Sequence, residues 1–155
     1  MTLPPGPYQA RLTVGGAGQT QPFTVLLDPL VVEDGVTTAD LIAQFEHNQR
    51  MRDLVALAAD TVARVRAART SLASATGADA DKAKRVQAIY DQLLNTPEGV
   101  RYNKPGLQSH ITYLAGMTTG ADQKIGRDAV ERYATLKKQL DDVRAELDRI
   151  LGPGR

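Results

Sequence analysis

Cysteine and tryptophan are absent from this chain of 155 residues, and aromatic side chains make up only 5% of it. Without cysteine there are no disulfides, thiolate metal sites or cysteine nucleophiles, although the compartment stays open. So few aromatics disfavour a sugar-binding cleft or a base-stacking platform, both of which need broad aromatic surfaces. Long apolar runs are missing too. The longest, LVALAA at 54–59, falls far short of the roughly 18 apolar residues that span a bilayer. Charge of one sign is not in excess: 19 basic against 18 acidic residues give +1, with no global pull toward nucleic acid or a membrane surface. The first residues, MTLPPGPYQ, carry no basic stretch followed by an apolar one, so no secretion signal is expected.

What is present reads as one hairpin followed by helices. Tyr8, Ala10, Leu12 and Val14 alternate with polar residues, the period of a half-buried strand. GGAGQTQ at 15–21 supplies the turn region, and PFTVLLDP at 22–29 a second strand with Phe23, Val25 and Leu27 on one face. LVVEDGVT is a linker to Thr38, an N-cap candidate for a long helix reaching about residue 76, where Gly77 stops it. Its apolar positions are Leu41, Phe45, Met51, Val55, Ala58, Val62, Val65, Ala68 and Leu72, interrupted by Asn48. Asp79 or Asp81 caps a second helix to about Leu94, with Ala83, Val86, Ile89 and Leu93 inward. A loop at 95–106 precedes a short helix with Leu107, Ile111 and Leu114 on one stripe.

The final helix has the clearest pattern. Ala129, Tyr133, Leu136, Leu140, Val143, Leu147 and Ile150 recur in steps of four and three, the seam of an antiparallel bundle. Its other face offers Lys137–Asp141, Lys138–Asp142 and Arg144–Asp148 at i,i+4. Such a seam serves either a homodimeric coiled coil or packing within the chain, and the other apolar stripes favour the latter. The expected fold is therefore mainly α: an antiparallel three- to four-helix bundle preceded by a two-stranded β-hairpin. Residues 1–33 form the hairpin unit and 34–155 the bundle.

Little in this order carries chemistry. The two histidines, His47 and His110, lie on different helices outside any metal-binding spacing and are expected at the surface or its boundary. No nucleophile elbow is present, and adjacent Ser109 and His110 diverge on a helix. The paired acids Asp79/Asp81 and Asp141/Asp142 suit caps and solvated faces better than a sugar cleft. GGAG at 15–18 precedes a strand, which excludes a phosphate-cradling role. Arg50, Arg52, Arg64, Arg66 and Arg69 are balanced by Asp40, Glu46, Asp53 and Asp60, a mixed solvated face. No metal, cofactor, catalytic residue or nucleic-acid partner is expected.

The succession of phrases PPGPYQARLTVGG, TVLLDPLV, TTADLIAQFEHNQRMRDL, YNKPGLQSHITYLAGM and DAVERYATLKKQLDDVRAELDRIL resembles the C-terminal tail of bacterial sortilin-like, BNR-repeat β-propeller proteins that carry a glycosyl hydrolase label. In that family a propeller is followed by an Ig- or fibronectin-like sandwich and a helical bundle. The resemblance implies that the hairpin is the end of an incomplete Ig-like sandwich, that any hydrolase activity belongs to the absent propeller, and that the setting is periplasmic or extracellular. Cytoplasmic residence is the alternative. The expected role is a non-catalytic interaction module, docking on another chain or on a missing upstream domain, in an assembly that can be membrane-bound. Part of a glycoside hydrolase and a self-associating coiled coil are the alternatives. The expected contact residues are Tyr8, Leu12, Phe23 and Val25.

Overall fold

The structure, a computed structural model, describes residues 2–94 and 104–152. It begins with an antiparallel hairpin, β1 (Gly6–Val14) and β2 (Ala17–Val25), with Tyr8 opposite Phe23 and Val14 opposite Ala17. The turn is shorter than GGAGQTQ suggests. Gly15 and Gly16 have φ of 56° and 87°, the doubly left-handed pair that reverses a twisted hairpin in two residues, so β2 starts at Ala17. It also ends early, at Val25. The Asp28 carboxylate accepts a hydrogen bond from the Leu30 amide at 2.9 Å, and Pro29 opens a helix, α1 (Pro29–Glu33), where a linker was expected.

α2 (Thr38–Ser71) is 34 residues long, roughly 51 Å at the helical rise. Its N-cap is Thr37, not Thr38. The Asp40 amide donates to Thr37 Oγ1 at 3.2 Å, and the Thr37 amide donates back to the Asp40 carboxylate at 3.0 Å. Hydrogen bonds from the Thr37 hydroxyl and amide hold the Asp40 carboxyl below its ordinary range. α2 ends at Ser71 rather than near 76, and Gly77, at φ 62°, sits in the turn before α3 (Ala78–Leu94). Asp79 and Asp81 lie inside the first turn of α3, where a carboxylate favours the helix dipole without capping it. Most of the expected 95–106 loop lies outside the described residues. Gly106 precedes α4 (Leu107–Thr119) at the end of α3, where a Cβ would stand 2.4 Å from the Leu93 carbonyl oxygen. α5 (Arg127–Leu151) closes the chain.

The four long helices form one bundle. Met51, Leu54, Ala58, Val62 and Val65 of α2 meet Val86, Ile89 and Leu93 of α3, Leu107, Ile111 and Leu114 of α4, and the α5 seam from Leu136 to Ile150. Each fully buried aliphatic side chain contributes about 1.5–3 kcal/mol. At the rim, Arg64 pairs with Asp148 at 2.8 Å and Arg85 with Glu146, tying α2 and α3 to α5. Asp148, at i,i+4 from Arg144, thus reaches across to α2. The fold is the expected hairpin plus helical bundle, with four long helices and one short helix among the described residues.

Neither strand packs against a described helix. At the base of the hairpin, Val25 and the flanking residues 2–5 and 26–28 line a cavity of about 180 Å³ together with Leu41 and Phe45 of α2. Truncating Leu140, buried at the centre of the seam, should therefore cost about 2–5 kcal/mol in a urea titration. Leu12→Ser should change stability by less than about 0.5 kcal/mol. An equal loss from both would mean that the hairpin is part of the core.

Candidate functional site

The register places Tyr8, Ala10, Leu12 and Val14 on one face of the hairpin, opposite Phe23, Gln21, Gln19 and Ala17. The Tyr8 and Phe23 rings stack with centroids 5.8 Å apart and planes at 27°. The Tyr8 hydroxyl donates to the Pro4 carbonyl at 2.7 Å, fixing that ring against the incoming chain. Cross-strand aromatic pairs of this kind hold register and contribute about 0.2–1 kcal/mol. Leu12 is 68% exposed and Phe23 44%, so this is an ordered apolar face open to solvent. All four expected contact residues share it. Tyr8, Phe23 and Val25 are contiguous, Val25 half-buried at the hairpin base, while Leu12 stands one rung further out beyond Ala10 and Gln21.

Further exposed apolar residues follow β2 in sequence, where no contact was expected. Leu26, Leu30 and Val32 are exposed, Leu26 to 80%, and α1 buries none of its residues. The signal was available in sequence: Asp28-Pro29 opens a helix, and a helix of five residues is too short to hide consecutive Leu-Val-Val. A second exposed group, Tyr113 and Met117, lies one turn apart on α4 beside a groove of about 510 Å³ toward Ile125 and Arg132. Its signal was an apolar pair outside the stripe of Leu107, Ile111 and Leu114.

The polar interior corrects one expectation. His47 is not at the surface but 1% exposed, and neither ring nitrogen has a hydrogen-bond partner among the described residues. It meets Tyr133 of α5 edge-on at 5.9 Å, and the Arg50 guanidinium lies 5.8 Å from the same tyrosine ring. Neighbouring Gln44 and Asn48 are buried for a structural reason. Gln44 Nε2 donates to the carbonyls of Thr118 and Ala121 at 2.9 and 2.7 Å, and Asn48 Nδ2 to that of Thr118 at 3.0 Å. These carbonyls close the C-terminal end of α4, which cannot satisfy them within the helix. The break in apolar spacing at Asn48 is therefore a side-chain cap delivered from α2.

The residues weighed for chemistry are dispersed. Asp141 and Asp142 pair with Lys137 and Lys138, and Asp79 and Asp81 with Lys82 and Lys84, all on exposed helix faces. Exposed pairs of this kind contribute little to stability. Ser109 is exposed and His110 half-buried on α4, with no cluster of metal-binding side chains among the described residues. Along α2 the arginines are engaged singly: Arg52 with Asp53, Arg64 with Asp148, and Arg69 with Gln87 and the Tyr90 ring. No family model, curated protein or solved structure matches the chain.

Burial holds the His47 imidazole below its ordinary 6.5, and the nearby Arg50 charge acts in the same direction. Below pH 6.5 the unfolded chain binds a proton that the folded chain resists. The stability carried by neutral His47 is thus complete above that pH and lost below it, by at most about 1.4 kcal/mol per pH unit. Urea midpoints should fall between pH 7 and 5.5, above the range where carboxylates titrate. His47→Leu should flatten this slope and leave stability at pH 7 unchanged or raised. An unchanged slope in that variant would assign the titration to another group.

Proposed function

We propose that this chain is a non-catalytic interaction module that docks on another protein through its N-terminal hairpin. The observation that carries this reading is the stacked Tyr8–Phe23 face, which no described helix covers. An isolated two-stranded hairpin is marginal in water and gains stability when a partner covers its face or extends its edge. Leu12 and Val14 on the same hairpin face, and Leu26 and Leu30 just after it in sequence, are also exposed, and large exposed apolar surface marks interaction sites. The bundle acts as the rigid base that presents it.

On this reading the chain is a tail domain or accessory subunit of a larger assembly, extracytoplasmic and in some settings membrane-associated. The resemblance to sortilin-like propeller tails adds a specific form: the hairpin completes an Ig-like sandwich whose other strands come from an upstream domain or a partner. The catalytic alternative finds no support in the arrangement of carboxylates, because the candidate pairs point outward and engage lysines. The coiled-coil alternative needs the α5 seam, whose Leu136, Leu140 and Leu147 are already buried within the chain.

A photo-crosslinking phenylalanine analogue at position 23 tests the reading in cells that make the protein. A discrete adduct of fixed mass should form there and be lost on Tyr8→Ser, while the analogue at Ala134, exposed on α5, gives none. No adduct at 23, or hydrolysis of a glycoside panel by the purified chain, would overturn it.

A further inference from the structure

The two edges of the hairpin are not equivalent. A two-residue turn makes Val14 and Ala17 a hydrogen-bonded pair, and such pairs alternate along an antiparallel ladder. Gly6, Tyr8, Ala10 and Leu12 therefore spend their main-chain groups on β2. Pro7, Gln9, Arg11 and Thr13 direct theirs outward, as Gly18, Thr20, Pro22 and Thr24 do from the other strand. Proline has no amide hydrogen to offer. Pro22 thus breaks the outer edge of β2 in its middle, whereas Pro7 only bounds that of β1. Between Pro7 and the turn, Gln9, Arg11 and Thr13 present an uninterrupted row of donors and acceptors, and all three residues are exposed.

Charge narrows what can bind there. Arg11 is the only charged residue in the hairpin from Gly6 to Val25. Antiparallel pairing of β1 with a second copy, in the register that uses all three outward residues, would set Arg11 directly against its equivalent, a destabilising like-charge pair. Shifting the register by two residues relieves this but places one rung on Pro7 or on the Gly15 turn. A second copy is a poor occupant. An acidic residue opposite Arg11 meets the charge on the polar face, and its two neighbours then fall beside Ala10 and Leu12 on the apolar face.

We propose that the outer edge of β1, at Gln9, Arg11 and Thr13, accepts an extended strand of a partner protein that carries an acidic residue between two apolar ones. The proposal rests on the docking reading and assigns it a strand, a register and a sequence preference. The added strand makes the sheet three-stranded and widens the Tyr8–Leu12 face, while the broken edge of β2 stays free.

The test uses the full chain and a capped nonapeptide of alternating threonine and valine with glutamate at its centre, at concentrations where the peptide is monomeric. Peptide binding should slow amide exchange at Gln9, Arg11 and Thr13 by at least about tenfold and leave Thr20 and Thr24 unchanged. Gln9→Pro and Thr13→Pro remove outward amides without touching the β1–β2 ladder, so both should abolish binding. Thr20→Pro on the other edge should preserve it, with Tyr8–Phe23 ring contacts retained by NMR in every variant. Arg11→Glu should switch preference to a central-lysine peptide by about fivefold. Protection at Thr20 and Thr24, self-association that slows the same β1 amides without peptide, or no binding of either peptide would overturn the assignment. If the position-23 adduct nevertheless forms, docking stands and only the β1 edge is wrong. If the adduct is also absent, both readings fail.

Discussion

Burial of α2 against all three other long helices is the interaction on which the rest of the molecule depends. Its apolar stripe from Met51 to Val65 supplies one wall of the core. Its N-terminal half uses Gln44 and Asn48 to hold the end of α4, so one helix both packs the bundle and caps a neighbour. Leu136, Leu140, Val143 and Leu147 fill the remaining side. The consequence is a bundle whose core is closed among its own helices, and the described strands that precede it pack only on each other.

That completeness gives the hairpin its meaning. A sheet of two strands buries neither its face nor its edges, yet this one keeps a defined register through its glycine turn, the Tyr8–Phe23 stack and the Tyr8 hydroxyl bond to Pro4. At its base, Val25 shares a cavity with Leu41 and Phe45 of α2. Pro22 and Arg11 blunt its exposed edges against indiscriminate pairing, the usual protection of an open strand. The docking role proposed above rests on this surface, ordered in this way but left uncovered by the described helices.

The bundle was legible because the α5 seam in steps of four and three fixes the face that carries Leu140 and Leu147, and the apolar stripes of the other helices supply the partners that bury it within the chain. The start of α2 was not. Gln44, His47 and Asn48 are buried polar residues, and apolar periodicity is blind to a helix face that serves as another helix's cap. The true turn was hidden because several glycines and polar residues competed for it, and only the left-handed φ of Gly15 and Gly16 settled the register. α1 was missed because its capping signal, Asp28-Pro29, opens a helix of five residues. For the candidate surface, alternation placed Tyr8, Leu12, Phe23 and Val25 together on one face. It said nothing of which edge prolines interrupt, since that depends on which amides point outward.

Residue-resolved hydrogen exchange on the free chain tests the central claim most directly, because it reads the hairpin and the bundle in one experiment. The account predicts that core amides of α2 and α5 exchange only through global unfolding. Inward-bonded amides of Tyr8, Ala10 and Leu12 should open with a much smaller free energy, and the outward amides of Gln9, Arg11 and Thr13 should exchange almost unprotected. Protection of the hairpin equal to that of the bundle core would contradict it, since the strands would then be part of the core and not a surface awaiting a partner.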